Sequence, residues 1–218
     1  NVIDTTAPVI TVDAPDNTSD NTPLISGTTD APAGSVVSIT VTDSRGSVQT
    51  VSASVGADGR YSVEVPKALA EGRYTAEAAV KDPAGNEGKA SDNGSVDTTA
   101  AITVEAPDLS NDNTPTLTGT TTDVEEGQIV TLTVTDSRGG SQVVTATVQA
   151  DGSYQAEVPN ALPDGHYSVE AVVSDKAGNR AEARDDNNGK GNVIDTTAPV
   201  ITVDAPDNPS DNTPLISG

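Results

Sequence analysis

Cysteine, methionine, tryptophan and phenylalanine are all absent from this chain of 218 residues, and tyrosine occurs only four times. Without cysteine there are no disulfide staples of the kind common in small secreted domains, and no thiol chemistry. With no cysteine and a single histidine, zinc lacks its usual ligands. The missing large aromatics argue against the alternative of a carbohydrate- or protein-binding module, because sugar stacking and interface hot spots usually rest on them. Basic residues are scarce too: 11 Lys+Arg stand against 33 Asp+Glu, a formal net charge of −22. Such a chain repels nucleic-acid phosphates and anionic lipid, so neither is expected as a partner. No apolar run approaches the ~20 residues that span a bilayer, and no membrane insertion is expected. The lone histidine, His166, stands where the first repeat has Arg73. It reads as a surface strand residue, and the chain is expected not to be an enzyme, although paired carboxylates of the glycosidase type remain chemically open.

What the chain has is repetition. Asp4, Asp97 and Asp195 each open an Asp-Thr-Thr-Ala segment followed by a β-rich run, at intervals of 93 and 98 residues. A period of that size fits one small domain and is too long for a solenoid repeat. The expected organisation is a first module over 1–96, a second over 97–194, and the opening strands of a third over 195–218. From Asp4 to Asn86 the copies are read at a constant offset of 93, which pairs Asp43 with Asp136, Tyr61 with Tyr154 and Asp82 with Asp175. That offset predicts no insertion between the two folds. The linkers differ by five residues, which fall within Ala183–Ile194. This stretch reads as a polar linker, since Arg184 stands where an EF-hand loop would need its first acid. The segment 1–17 returns residue for residue at 192–208, so the natural unit reads as an alternating pair of modules.

Within a module the period is two. Val37, Ile39 and Val41 alternate with Ser38, Thr40 and Thr42, and Tyr74, Ala76, Ala78 and Val80 behave likewise. Alternation rich in β-branched residues marks half-buried antiparallel strands. Turn signals at 44–46, 57–59, 70–72 and 83–86 divide the first module into strands near 9–13, 23–29, 36–43, 48–55, 60–65, 73–81 and 88–95. Seven short strands in this length predict an all-β, immunoglobulin-like sandwich, repeated in tandem as a rod. Tyr74 and Tyr167, just after Gly72 and Gly165, look like tyrosine corners.

Two motifs carry a resemblance. Asp82-Pro-Ala-Gly-Asn86 and Asp175-Lys-Ala-Gly-Asn179 precede the last strand of each module, and Asp97-Thr-Thr-Ala100 and Asp195-Thr-Thr-Ala-Pro199 mark the seams. In these the chain resembles the bacterial Ig-like repeats in the extender regions of giant surface adhesins, of the RTX and biofilm-associated kind. The resemblance implies an extracellular, cell-surface spacer with calcium at its domain junctions, holding a distal binding domain away from the cell. Ala101 departs from it, standing where the first seam has Pro8.

Strand parity predicts which acids meet. The loops at the N-terminal pole carry Asp30, Asp58 and Asp82 near Asp4, and Asp123, Asp151 and Asp175 near Asp97. The opposite pole carries Asp16, Asp20 and Asp43 in the first module and Asp108, Asp112 and Asp136 in the second. Asp58 and Asp151, each before glycine, read as ordinary turns. Clustered carboxylates repel one another, and calcium relieves this with six to eight oxygen ligands in a forgiving geometry. The candidate ligands are Asp4, Asp30, Asp82 and Asn86 at the first seam; Asp43, Asp97, Asp123, Asp175 and Asn179 at the second; and Asp136 and Asp195 at the third. The expected partners are therefore calcium ions and neighbouring repeats. The tail 195–218 is expected either to be disordered or to pair as a strand with another chain.

Overall fold

The alternating residues do become strands. The computed structural model describes residues 3–204. The first module contains β1 (Leu24–Thr28), β2 (Val36–Thr42), β3 (Val48–Ser54), β4 (Arg60–Glu64), β5 (Gly72–Lys81) and β6 (Glu87–Val96). The second contains β7 (Ala101–Ile102), β8 (Leu109–Ser110), β9 (Thr116–Thr122), β10 (Ile129–Asp136), β11 (Ser141–Thr147), β12 (Ser153–Glu157), β13 (Gly165–Ser174), β14 (Arg180–Asp185) and β15 (Asn192–Ile194). No helix occurs among the described residues.

In the first module β1 pairs with β4, and the facing sheet runs β3-β2-β5-β6. The second module repeats this as β12-β9-β7 against β11-β10-β13, with β14 and β15 both on β13. Each sandwich closes over its own core. Val37, Ile39, Val41 and Ala76 are fully buried in one, as are Val130, Leu132, Val134 and Ala171 in the other. The chain is thus a tandem of β-sandwiches. Ile25 and Leu117 point inward, while Leu24 remains exposed, as strand alternation requires.

The strand expected over 9–13 is reduced to two bridges, Ile10 to Thr29 and Asp13 to Ser26. Pro8 and Pro15 flank the run, and proline supplies no N–H to a ladder, so it stays a short edge.

Four tyrosines replace the missing large aromatics. Tyr61 lies opposite Gly27 and donates to Thr11 O at 2.5 Å; Tyr154 lies opposite Gly119 and donates to Thr103 O at 2.5 Å. Burial pushes both phenols up to about 12. Tyr74 and Tyr167 are not tyrosine corners. Their hydroxyls cross the sandwich to Pro15 O and Pro107 O, both at 3.0 Å, far from the local turn. Tyr74 faces Gly94, where a Cβ would come within 2.4 Å of the ring.

The offset between modules is not constant. The hydroxyl pair Thr11–Thr28 corresponds to Thr103–Thr120, and both members have shifted by 92 rather than 93. One residue is lost where Pro8-Val9 gives way to Ala101, and one is regained at Thr122, before the turn that contains Gly127. The two changes compensate on adjoining segments, so the sandwich is preserved.

The five extra residues are also not in a linker. They interrupt the last strand of the second module. Val169 pairs with Asp185 and Tyr167 with Asn192, so residues 187–191 loop out opposite Ser168. The loop is a defined turn: Gly191 N donates to Asp186 O at 2.7 Å and Gly189 N to Asp186 Oδ1 at 2.8 Å. Asn187 and Asn188 take left-handed φ of 49° and 55°, which asparagine tolerates better than most residues. Asn192 consequently occupies the place of Gly94. It is fully buried, and neither polar atom of its side chain has a hydrogen-bond partner among the described residues.

Candidate functional site

Asp97 belongs to both modules. It follows β6, and its N–H donates to Thr18 O of the first module at 2.9 Å. Its carbonyl accepts from Asn179 Nδ2 of the second module at 2.8 Å. Asn179 is presented by the turn after β13, where its own N–H donates to Asp175 Oδ1 at 2.8 Å. Gly178, at φ 94°, lets this turn close. The same device stands at the start of the chain. Asn86 N and Nδ2 each donate to Asp82 at 2.8 Å, and Nδ2 also reaches Asp4 O at 3.1 Å.

Charge at the middle seam is unbalanced. Burial holds the Asp97 carboxyl above its ordinary range, and the carboxylates of Asp175, Glu71 and Glu125 push it the same way against one opposing N–H from Thr99. Asp175 is only 5% exposed. Between the two acids lies the Asn179 amide, 2.7 Å from Asp175 Oδ2 and 3.5 Å from Asp97 Oδ1. The ion pairs found among the described residues join Arg60 to Asp58, Lys89 to Glu87, Arg180 to Glu182 and Arg184 to Asp186, all elsewhere. A cavity of about 460 Å³ opens at this seam, with Asn17, Glu71, Asp97, Thr99, Asp123 and Glu125 in its wall.

The structure brings some of the expected residues to the seams and assigns others to turns. Asp123, at φ 55°, accepts from Thr99 Oγ1 at 3.3 Å. Asp30 instead accepts from Val9 N at 2.8 Å, a difference that follows from the one-residue shift between modules. Asp4 and Asp195 each accept from the N–H two residues on, Thr6 and Thr197. Asp43 accepts from Arg45, Ser47 and Ala70, which together hold its carboxyl below the ordinary range. Asp136 accepts from Arg138 and Gly140. Both therefore close their own hairpin turns. Among the described residues no three His, Cys, Asp or Glu side chains stand as a ready-made metal group.

Three acids at the seams escaped the sequence reading. Glu71 accepts from Thr98 N at 2.9 Å and Thr98 Oγ1 at 2.6 Å. Asp164 accepts from Thr196 N at 3.1 Å, Thr196 Oγ1 at 2.7 Å and Thr197 Oγ1 at 3.0 Å. Glu125 accepts from Lys176 N at 3.0 Å. The signal for the first two was present, an acid before glycine at the same place in both copies, but it also describes an ordinary turn.

The model of the bacterial Ig-like domain family matches residues 5–98 and again 103–196. The chain belongs to the bacterial Ig-like domain family. Its two Ig-like domains are similar to a crystallised tetra-tandem repeat in the extending region of a large adhesion protein, at 38% identity and a TM-score of 0.46. That match covers 91% of this chain and 52% of the other, so the chain spans about half its length. A structure concerned with host cell surface retention of a 1.5-MDa bacterial ice-binding adhesin matches at 19% identity and a TM-score of 0.50, over 96% of this chain and 72% of that one. A third, described as a Ca2+-stabilized adhesin that helps an Antarctic bacterium reach out and bind ice, matches at 26% identity and a TM-score of 0.46, over 96% and 54%. A search of curated proteins found no match. No helix among the described residues is long and apolar enough to cross a membrane.

Proposed function

We propose that this chain is a length of extender from a bacterial surface adhesin. Its Ig-like modules form a spacer that holds a distal ligand-binding domain away from the cell, for adhesion and biofilm formation. Calcium taken up at the seams stiffens it. The proposed units are 1–96, 97–194 and the start of a third at 195–218.

The observation that carries this reading is the Asn179 amide shared by Asp97 and the buried Asp175, with no ion pair to either acid among the described residues. Their oxygens, with those of Asp123 and Glu125, would supply the hard, all-oxygen donors that calcium prefers. The chain has neither the cysteines nor the paired histidines that zinc favours, and magnesium demands stricter geometry. Because the acids approach without forming a closed group, calcium would draw parts of two modules together as it binds. That couples occupancy to the angle between modules. Asp97 and Asp175 are the proposed principal ligands, and the Asn179 amide, turned to present Oδ1, is a third. Asp4, Asp82 and Asn86 have the corresponding places at the first seam, and Asp195 at the last. Asp30 is proposed only as a peripheral acid, and Asp43 and Asp136 as turn-closing residues that add negative field.

Calcium titration by calorimetry tests this. Asp97→Ala and Asp175→Ala should each remove one binding event at the middle seam while both sandwiches still melt cooperatively. Unchanged stoichiometry in both variants would defeat the assignment.

A further inference from the structure

Before each linker the chain places one acid at the turn that leads into a central strand. Glu71 precedes β5 and Asp164 precedes β13. In both cases that acid grips the threonine after the seam aspartate. Glu71 uses one oxygen for Thr98 N and the other for Thr98 Oγ1, at 2.9 and 2.6 Å. Asp164 uses Oδ1 for both donors of Thr196 and Oδ2 for Thr197 Oγ1. The side chains differ in length, and the second module carries a five-residue loop that the first lacks. The contact nevertheless recurs. Bonds from N–H and O–H to an ionised carboxylate are stronger than neutral ones, and two donors on one residue fix its orientation as well as its position. Those from Thr196 and Thr197 hold the Asp164 carboxyl below its ordinary range.

We propose that Glu71 and Asp164 are positioning residues of a metal-independent latch, which sets the direction in which each linker leaves its module. Calcium at the seam then acts on a linker that is already aimed. This rests on the extender reading in one respect only, that the angle between modules matters to function. The latch itself requires no cation, because its donors are the linker's own N–H and O–H groups. The segment Asn1–Thr6 repeats Asn192–Thr197 residue for residue. Thr5 therefore carries the same N–H and Oγ–H donors as Thr196.

The absence of cysteine makes the test direct. Ser52→Cys and Thr145→Cys place spin labels at exposed, corresponding positions on β3 and β11. Pulsed-EPR distance distributions are then recorded for the full chain in chelator and in saturating calcium. In chelator, Glu71→Ala should broaden the distribution, with about a fivefold rise in released conformers, equivalent to ~1 kcal/mol. Thr98→Val, which keeps the backbone donor, should give a smaller change, as should Glu71→Gln, which keeps one acceptor oxygen. Combining Glu71→Ala with Thr98→Val should add little to Glu71→Ala alone. Module melting temperatures should not move, since Glu71 is exposed. Identical distributions for wild type and Glu71→Ala in chelator would overturn the latch. So would an effect of Glu71→Ala confined to calcium, because Glu71 would then be a metal ligand. A wild-type distribution indifferent to calcium but broadened by Glu71→Ala would defeat the calcium reading and leave the latch standing.

Discussion

Asn179 donates its side-chain amide to the main-chain carbonyl of Asp97 at 2.8 Å, across 82 residues of sequence. The turn before the last strand of the second module thereby holds the residue that leaves the first. Asn179→Ala removes this tie and one donor to the buried Asp175. Leaving a buried acceptor short of a partner costs about 1–3 kcal/mol. At ~4–8 °C per kcal/mol for a domain of this size, the second module should melt several degrees lower by calorimetry. Asn86→Ala should cost less, because Asp82 is less buried than Asp175.

Asn192 gives a prediction of opposite sign. It stands opposite Tyr167, where Gly94 stands opposite Tyr74, and it is buried with its amide unpartnered. Asn192→Gly removes a desolvation penalty of ~1–3 kcal/mol and adds a glycine cost of roughly 0.5–1 kcal/mol. The second module should melt higher by calorimetry. A lower melting temperature would show that the Asn192 side chain is satisfied by groups outside the protein.

The looped-out segment should be dispensable. Deleting 187–191 joins Asp186 to Asn192 and restores the uninterrupted pairing that β6 makes with β5. The expected result is a folded second module with unchanged calcium stoichiometry, read from amide spectra and titration.

Most of the fold was legible because it is written in alternation. Val37, Ile39, Val41 and their counterparts could face only one core, and a register slip would have exposed all of them. The weak first strand was not legible, since its apolar pattern is genuine and only the flanking prolines limit its pairing. Nor was the site of the insertion: counting residues locates it within Ala183–Ile194, but only the pairing of Tyr167 with Asn192 puts it inside a strand. At the seam, Asp97, Asp175 and Asn179 were legible from a repeated motif. Glu71 and Asp164 were not, because the same residues are good turn formers, and their partners lie more than 25 residues away in sequence.

The seam should respond to pH through Asp97. Its carboxyl is held above the ordinary value of 3.8, mainly by burial and then by neighbouring acids. A raised folded-state value means the folded arrangement binds its proton more tightly than the unfolded chain does. Its contribution is then most favourable below 3.8 and is lost as pH rises through the raised value. Asp82, Asp43 and Asp164 are held below 3.8 by donated hydrogen bonds, so their contributions are lost in stronger acid. In chelator, the middle seam should therefore loosen as pH rises from 3.8 through the Asp97 titration, and Asp97→Asn should abolish that step. Calcium affinity should fall across the same interval as pH is lowered, because proton and cation compete for the carboxylate. Calorimetric titration at several pH values checks both signs.

The most direct test of the calcium-stiffened extender is small-angle scattering of the full chain with and without chelator. Binding confined to the aligned arrangement stabilises it by ~2.7 kcal/mol per site at a hundredfold excess of calcium. The expected result is a longer, narrower distribution of interatomic distances in calcium, a broader one in chelator, and an Asp97→Ala profile shifted toward the chelated form. Identical profiles with and without calcium would contradict the account.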